Sequence, residues 1–124
     1  MKKNRELIFS KYGGKCAYCG CDLQKGWHVD HIEAIYRNWN EDQLTFYGIK
    51  KGEESIENYN PSCARCNVRK TTWTIEQFRE QITLQVDRMK RDSSSFRLAL
   101  DYGIIKETKA DVKFYFETIK NTPN

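Results

Sequence analysis

No stretch of this 124-residue chain approaches the ~20 consecutive apolar residues that cross a bilayer. With a mean hydropathy of −0.80, a helical membrane protein is excluded. The opening residues, MKKNRELIFSKYGG, are basic but lack the apolar run of roughly 7 to 15 residues that a secretory signal needs, so export is not expected and a cytoplasmic protein is. Hydrophobic residues are scarce at 39%, against roughly 45 to 50% in average soluble chains. Counting the seven Gly instead of the seven Tyr leaves that figure unchanged, so a thin core is expected. Internal repeats and low-complexity tracts are also missing, and the length suits one ordinary domain without room for a second core.

Acidic residues are nearly absent from two stretches. Lys and Arg total 21 against 17 Asp and Glu, a net charge of +4 that permits polyanion binding without demanding it. Residues 1–15 carry Lys2, Lys3, Arg5, Lys11 and Lys15 against Glu6 alone, and Arg65, Arg69 and Lys70 lie in a segment with no acid. Glu53, Glu54 and Glu57 form a small acidic run that repels phosphate, so a nucleic-acid face is expected on one side only. An ordinary solvated surface explains the charge alone equally well.

Five cysteines are present. Without an export signal, a reducing compartment keeps cystines from persisting, and thiolates held by metal become the leading reading. Cys16-Ala-Tyr-Cys19 and Cys63-Ala-Arg-Cys66 are two Cys-x-x-Cys knuckles, each able to present two sulfurs to one tetrahedral zinc at about 2.3 Å. A redox role is the lesser reading, since a redox Cys-x-x-Cys normally occurs once, at a helix start after a strand. The 43 residues between the knuckles exceed the ~15 to 20 of a compact zinc ribbon. A substantial insert therefore separates the ligand pairs and is expected to hold the function. Four sulfurs close the shell, which leaves Cys21 as a free thiol, with ligation through Cys21 in place of Cys19 as the minor alternative.

Leu7, Ile8 and Tyr12 share a helical face over residues 4–12, and Gly13-Gly14 supplies the stop. Residues 27–32 are rich in strand formers and follow a Lys25-Gly26 turn. A second short strand is expected at Tyr59 and Asn60, which the following Pro61 holds extended. Residues 36–57 lack a clean period and read as a long loop with a helical turn over 40–46. A helix over 64–70 puts Cys66 and Asn67 side by side. Another begins at Thr74, where Thr74-Ile75-Glu76-Gln77 is a capping box and Trp73 and Phe78 hold staple positions; Ile75, Phe78, Ile82, Val86 and Met89 form its buried stripe. Asp92-Ser93-Ser94-Ser95 breaks the pattern, residues 96–102 read as a short helix ending at Gly103, and residues 112–116 read as a strand.

Asp30-His31 between the knuckles and Asn67 directly after the last cysteine form a compact polar set. An imidazole, with an ordinary pKa of about 6.5, takes a proton from water at neutral pH, while a carboxylate and an amide oxygen suit Mg²⁺. A cation so held leaves positions for water and a nonbridging phosphate oxygen, whose developing charge it offsets. These are the parts of phosphodiester hydrolysis, with zinc structural and Mg²⁺ catalytic. His28 and His31 point to opposite faces of an extended strand, so His28 is expected not to be a ligand. Asp30 and His31 also diverge on a regular strand, and their cooperation calls for a twist or bulge at its end. Taken singly, His31 reads as a structural histidine, Asn58 as a loop residue, and Trp27, Trp39 and Trp73 as packing rather than base stacking.

Gly14-Lys15-Cys16-Ala17-Tyr18-Cys19-Gly20, Val29-Asp30-His31-Ile32, Asn58-Tyr59-Asn60-Pro61-Ser62-Cys63 and Cys66-Asn67-Val68-Arg69-Lys70 together resemble the HNH endonuclease family in its four-cysteine form. The resemblance covers about residues 13–72. It implies that residues 1–124 are a single HNH domain of the α+β class, a ββα-metal core stapled by a four-cysteine zinc site with flanking helices. Its extension over 73–124 is similar at best to the tails of small phage-type members. It further implies a DNA endonuclease dependent on Mg²⁺ or a similar divalent cation, acting on double-stranded DNA in a bacterial or phage-infected cell. His31 becomes the general base that activates water, and Asp30 and Asn67 become ligands of the catalytic cation. Cys16, Cys19, Cys63 and Cys66 hold the zinc. Asn58 matches the family's middle asparagine, whose side chain bonds backbone across the loop and orients the histidine. Asn67 stands where the family name expects a histidine, a replacement also common in the family that bears on metal preference. Arg65, Arg69 and Lys70 are candidate nucleic-acid contacts; Lys70 lies one helical turn beyond Asn67 on the same side, and a solvated lysine is its plainer reading.

Two other classes stay open on the sequence. One is a zinc-stapled nucleic-acid-binding module without catalysis, drawing on Lys2, Lys3, Arg5, Arg65, Arg69 and Lys70. The other is an RNA-directed or structural partner of a larger phage or restriction assembly.

Overall fold

The computed structural model describes residues 4–36 and 38–119. The chain divides into two compact units, Met1–Ile75 with Phe114–Asn124, and Glu76–Lys113. In the first unit, helix α1 (Arg5–Ser10) buries Ile8. Strands β1 (His28–His31) and β2 (Tyr59–Ser62) pair antiparallel in one-to-one register, from His28 opposite Ser62 to His31 opposite Tyr59. That register carries no bulge, so the distortion expected at Asp30-His31 is not what brings the two side chains together. Every β2 position is buried. Pro61 is tolerated there because each strand of a two-stranded sheet is an edge. Its carbonyl accepts from the Ala17 amide at 2.8 Å, which ties the first cysteine knuckle to the strand leading into the second.

The segment between the strands is more ordered than its sequence suggests. Helix α2 (Glu41–Tyr47) is closed at its start by a capping box, with the Asn40 side chain accepting from the Gln43 amide at 2.8 Å and the Gln43 side chain accepting from the Asn40 amide at 2.9 Å. A 3-10 turn, Ile56–Asn58, then delivers the chain into β2. Helix α3 (Ala64–Lys70) follows at once, with Cys63 as its N-terminal cap.

The strand expected over residues 112–116 is absent. Helix α7 (Tyr115–Thr118) stands there instead, because the amides of Tyr115 and Phe116 donate to the carbonyls of Tyr18 (3.0 Å) and Ala17 (2.8 Å) in the first knuckle rather than to a sheet edge. The aromatic density that reads as strand propensity is used to plug that knuckle: Phe114 and Phe116 lie edge-on to Tyr18 at 5.5 and 6.0 Å. Gly20 permits the close approach, since a Cβ at that position would lie 3.0 Å from the Tyr115 ring and its φ is +78°.

The second unit contains most of α4 (Ile75–Thr83), with α5 (Gln85–Asp92) and α6 (Ser94–Asp101). Helix α4 starts directly after Thr74, where the sequence puts its beginning. The single long helix expected from there is divided at Leu84. This is a loosened turn: the amide of Leu84 still bonds the Glu80 carbonyl and that of Arg88 the Leu84 carbonyl, both at 3.1 Å. Of the apolar stripe, Phe78 is buried while Ile82 and Met89 are exposed, so only part of it is core. Ser93 ends α5 and caps α6, accepting from the Phe96 amide at 3.1 Å. Among the described residues no helix is long and apolar enough to cross a membrane.

Truncating the aromatic plug tests its share of a thin core. Phe114→Ala is expected to lower stability by about 3 to 5 kcal/mol, read as a drop in the urea midpoint. Phe46→Ala, at a ring that is 81% exposed, is expected to leave the midpoint within about 0.5 kcal/mol. Equal midpoints for the two variants would remove Phe114 from the core.

Candidate active site

The two knuckles converge. The Sγ atoms of Cys16, Cys19, Cys63 and Cys66 all lie within 4.8 Å of one another, and Cys19 and Cys63 are 3.9 Å apart. Sulfurs bound tetrahedrally at 2.3 Å are separated by about 3.8 Å, whereas a disulfide needs about 2.05 Å; all five cysteines are free. The donor set therefore fits a metal such as zinc and does not fit a cystine. The amides of Tyr18 and Cys66 donate to the sulfurs of Cys16 and Cys63, each at 3.4 Å, which favours thiolates. The hydrogen bond between Cys66 and Cys16 lowers the Cys16 thiol and pushes that of Cys66 up. A cation held by the four sulfurs would displace the protons on them. Cys21 stays outside the four: its carbonyl closes the knuckle by accepting from the Cys16 amide at 2.8 Å, and burial, then Cys19, push its thiol up to about 12.

Beside this cluster, Asp30, His31 and Asn67 line one open cleft of about 320 Å³, together with Tyr36 and Thr71. Asp30 and His31 come from the last two residues of β1, and the cleft wraps around that strand end, so consecutive side chains reach it without a bulge. Asn67 comes from the middle of α3, immediately after the buried Cys66. His28 does not line the cleft, and Asn58 lines a different concavity with Lys50 and Lys51.

Asp30 is buried, and its Oδ2 takes the Lys70 ammonium at 3.2 Å and the hydroxyl of Tyr18. Burial pushes its carboxyl up from the ordinary value, and the charge of Lys70 and the Tyr18 hydrogen bond oppose that rise. Both contacts fall on Oδ2, which leaves Oδ1 for the cleft. The network continues inward, as Asn60 donates to the Tyr18 hydroxyl and Tyr12 donates to Asn60, each at 3.3 Å. Burial first, then the charge of Asp30, push the Tyr18 hydroxyl up, so it remains a donor.

Lys70 requires a correction. The sequence places it on the Asn67 side of the helix, facing phosphate, yet its side chain is 0% exposed and donates to the His31 carbonyl at 3.0 Å as well as pairing with Asp30. A buried carboxylate needs a counter-charge, and Lys70 supplies it instead of meeting solvent. The N-terminal basic residues are likewise engaged in the structure. Arg5 stacks over the Trp27 ring at 4.0 Å and donates to its carbonyl at 3.1 Å, Lys11 donates to the Tyr59 carbonyl at 2.7 Å, and Lys15 pairs with Asp22. Lys2 and Lys3 lie outside the described residues. Arg65 and Arg69 are exposed on α3.

Asn58 clamps the insert. Its Oδ1 accepts from the Glu33 amide at 2.8 Å, and its Nδ2 donates to the carbonyls of Glu33 and Glu53 at 3.0 and 2.8 Å. Gly52 is indispensable to this close packing, because a Cβ there would lie 1.9 Å from the Glu33 carbonyl oxygen. The clamp holds the chain two residues beyond His31.

Glu54 is a site residue that the sequence does not single out. Charge patterning places it in an acidic run that repels phosphate, yet its Oε1 lies 2.7 Å from His31 Nε2 and accepts from the Tyr59 hydroxyl at 2.9 Å. Its place four residues before Asn58 is the only sequence hint, since the pairing spans 23 residues of insert.

Two perturbations follow from this geometry. Removing the metal with a chelator, or Cys66→Ser, is expected to abolish cooperative unfolding and most helical circular dichroism, since such a staple contributes on the order of 10 kcal/mol or more; a cooperative melt of the metal-free chain would contradict this. Lys70→Met is expected to destabilise by about 3 to 5 kcal/mol through the unpaired Asp30 carboxylate. Adding Asp30→Asn should return more than half of that loss in a double-mutant cycle; no recovery would mean the pair is not coupled.

No curated protein and no solved structure matches the chain. The family model of the HNH endonucleases matches residues 16–72, a span that begins at the first clustered cysteine, ends just beyond α3, and contains all four sulfurs, Asp30, His31, Asn58 and Asn67. Over residues 16–72, therefore, the chain is similar to the HNH endonucleases.

Proposed function

We propose that the chain is a divalent-metal-dependent endonuclease that hydrolyses phosphodiester bonds in DNA. The observation that carries this reading is the meeting of Asp30, His31 and Asn67 in one cleft inside the HNH span. β1, β2 and α3, which deliver these side chains, correspond to the ββα-metal core, with the four cysteines holding a structural zinc. His31 is the general base, taking a proton from the attacking water. Asp30, through the oxygen that Lys70 and Tyr18 do not occupy, and Asn67, through its amide oxygen, are the residues that hold a cation such as Mg²⁺. When bound, that cation supplies positive charge against the charge developing on the phosphate. Asn58 keeps the strand exit beyond His31 in place, and Lys70 holds both the His31 carbonyl and the Asp30 carboxylate. Arg65 and Arg69, exposed on the helix that carries Asn67, contact the DNA backbone without reading its sequence.

Supercoiled plasmid with Mg²⁺ provides the test. Wild type is expected to nick or linearise it, and His31→Ala to slow cleavage by ~100-fold or more with metal content and circular dichroism unchanged. Asp30→Asn is expected to abolish cleavage while DNA affinity is kept or raised, because a negative charge is removed. DNA binding without cutting by wild type, over a series of divalent cations, would favour the binding module, and preferential cutting of a matched RNA would move the substrate.

A further inference from the structure

A neutral imidazole carries one N–H and one lone pair, and the partner of one nitrogen decides which of the two is free to accept a proton. In His31 that partner is specified. Its Nε2 lies 2.7 Å from Glu54 Oε1, and an ionised carboxylate accepts hydrogen bonds without donating them. Nε2 is therefore the nitrogen that carries hydrogen. The oxygen it meets is itself held in place, since the hydroxyl of Tyr59 donates to the same Oε1 at 2.9 Å. Tyr59 is buried, pairs with His31 in the sheet, and sets its ring edge-on to the imidazole at 5.3 Å. Sheet register, ring packing and carboxylate thus fix one orientation of the imidazole.

From these contacts we infer that Glu54 is a positioning residue: it selects the Nε2–H tautomer of His31 and leaves Nδ1 as the atom that accepts the proton. This assignment rests on the proposed nuclease reading for the reaction it serves, and on geometry alone for the tautomer. When water gives its proton to Nδ1, the ring becomes an imidazolium carrying hydrogen on both nitrogens, and the Glu54 carboxylate faces the new positive charge. The Glu54 side chain is 53% exposed, so solvent screens the pair and little stability comes from it; its effect lies in orientation. The plainer alternative, an acid that merely repels DNA, makes an opposite kinetic prediction, because losing it would tighten DNA binding and leave turnover alone.

Two measurements on the zinc-loaded full chain test the inference. The chain has two histidines, so ¹⁵N labelling of histidine gives two rings, with His28→Gln assigning them. At a pH where the ring is neutral, His31 is expected to show a protonated Nε2 and a bare Nδ1 in wild type, a mixture of tautomers in Glu54→Ala, and the wild-type form in Glu54→Gln, whose amide oxygen still accepts. In plasmid cleavage with Mg²⁺, Glu54→Ala is expected to lose ~10- to 100-fold in kcat with KM no lower than wild type, and Glu54→Gln to fall between them. A wild-type ring protonated at Nδ1, or Glu54→Ala with unchanged kcat and lowered KM, would overturn the inference. An inactive wild type whose Nε2–H tautomer still disappears in Glu54→Ala would uphold the contact and overturn the nuclease reading instead.

Discussion

A buried lysine and a nearly buried aspartate hold the cleft together. Lys70 stands on the last turn of α3 and Asp30 near the end of β1, and the ammonium reaches both the Asp30 carboxylate at 3.2 Å and the His31 carbonyl at 3.0 Å. Helix and strand are thereby locked at the point where Asn67 faces Asp30-His31. Burying two charges is expensive, and apolar residues of the same size often stabilise as well or better. What the pair adds is direction: one carboxylate oxygen is occupied and the other is left for the cleft.

A thin core has to be supplemented, and the first unit does so around one small turn. The turn between Cys16 and Cys21 offers two sulfurs to the cluster, an amide to Pro61 and two carbonyls to the C-terminal segment. Tyr18, inside that turn, has Phe114 and Phe116 against its ring and Asp30 and Asn60 at its hydroxyl. Few apolar residues are needed where the sulfur cluster, backbone and aromatic contacts meet on six residues. The Asn58 clamp and Gly52 do the same on a smaller scale for the insert, replacing side-chain packing by direct backbone approach.

How much of this is legible in the sequence follows from distance along the chain. The knuckles, helix 64–70 and the start of α4 announce themselves through spacing, caps and periodicity within a few residues, and the structure places all three there. The Asp30, His31 and Asn67 set is visible as composition, and its meeting in one cleft needs the sheet register. Lys70 reads as outward because helical spacing gives its side of the helix, while its burial depends on a carboxylate 40 positions earlier. Glu54 reads as repulsive because charge runs report a field, whereas its contact with His31 depends on how the insert folds back. The strand expected over 112–116 fails for the same reason: propensity describes the residue, and the carbonyls that claim its amides belong to residues 17 and 18.

The placement of Tyr18 gives that last segment an influence beyond packing. Its ring is gripped by Phe114 and Phe116, while its phenol oxygen touches the aspartate of the cleft. A protease cut or frameshift that removed residues from 114 onward would leave every cleft residue in the chain and still let that phenol swing away from Asp30. Damage far along the polypeptide would then surface as a misdirected carboxylate, in a cleft that the tail never lines.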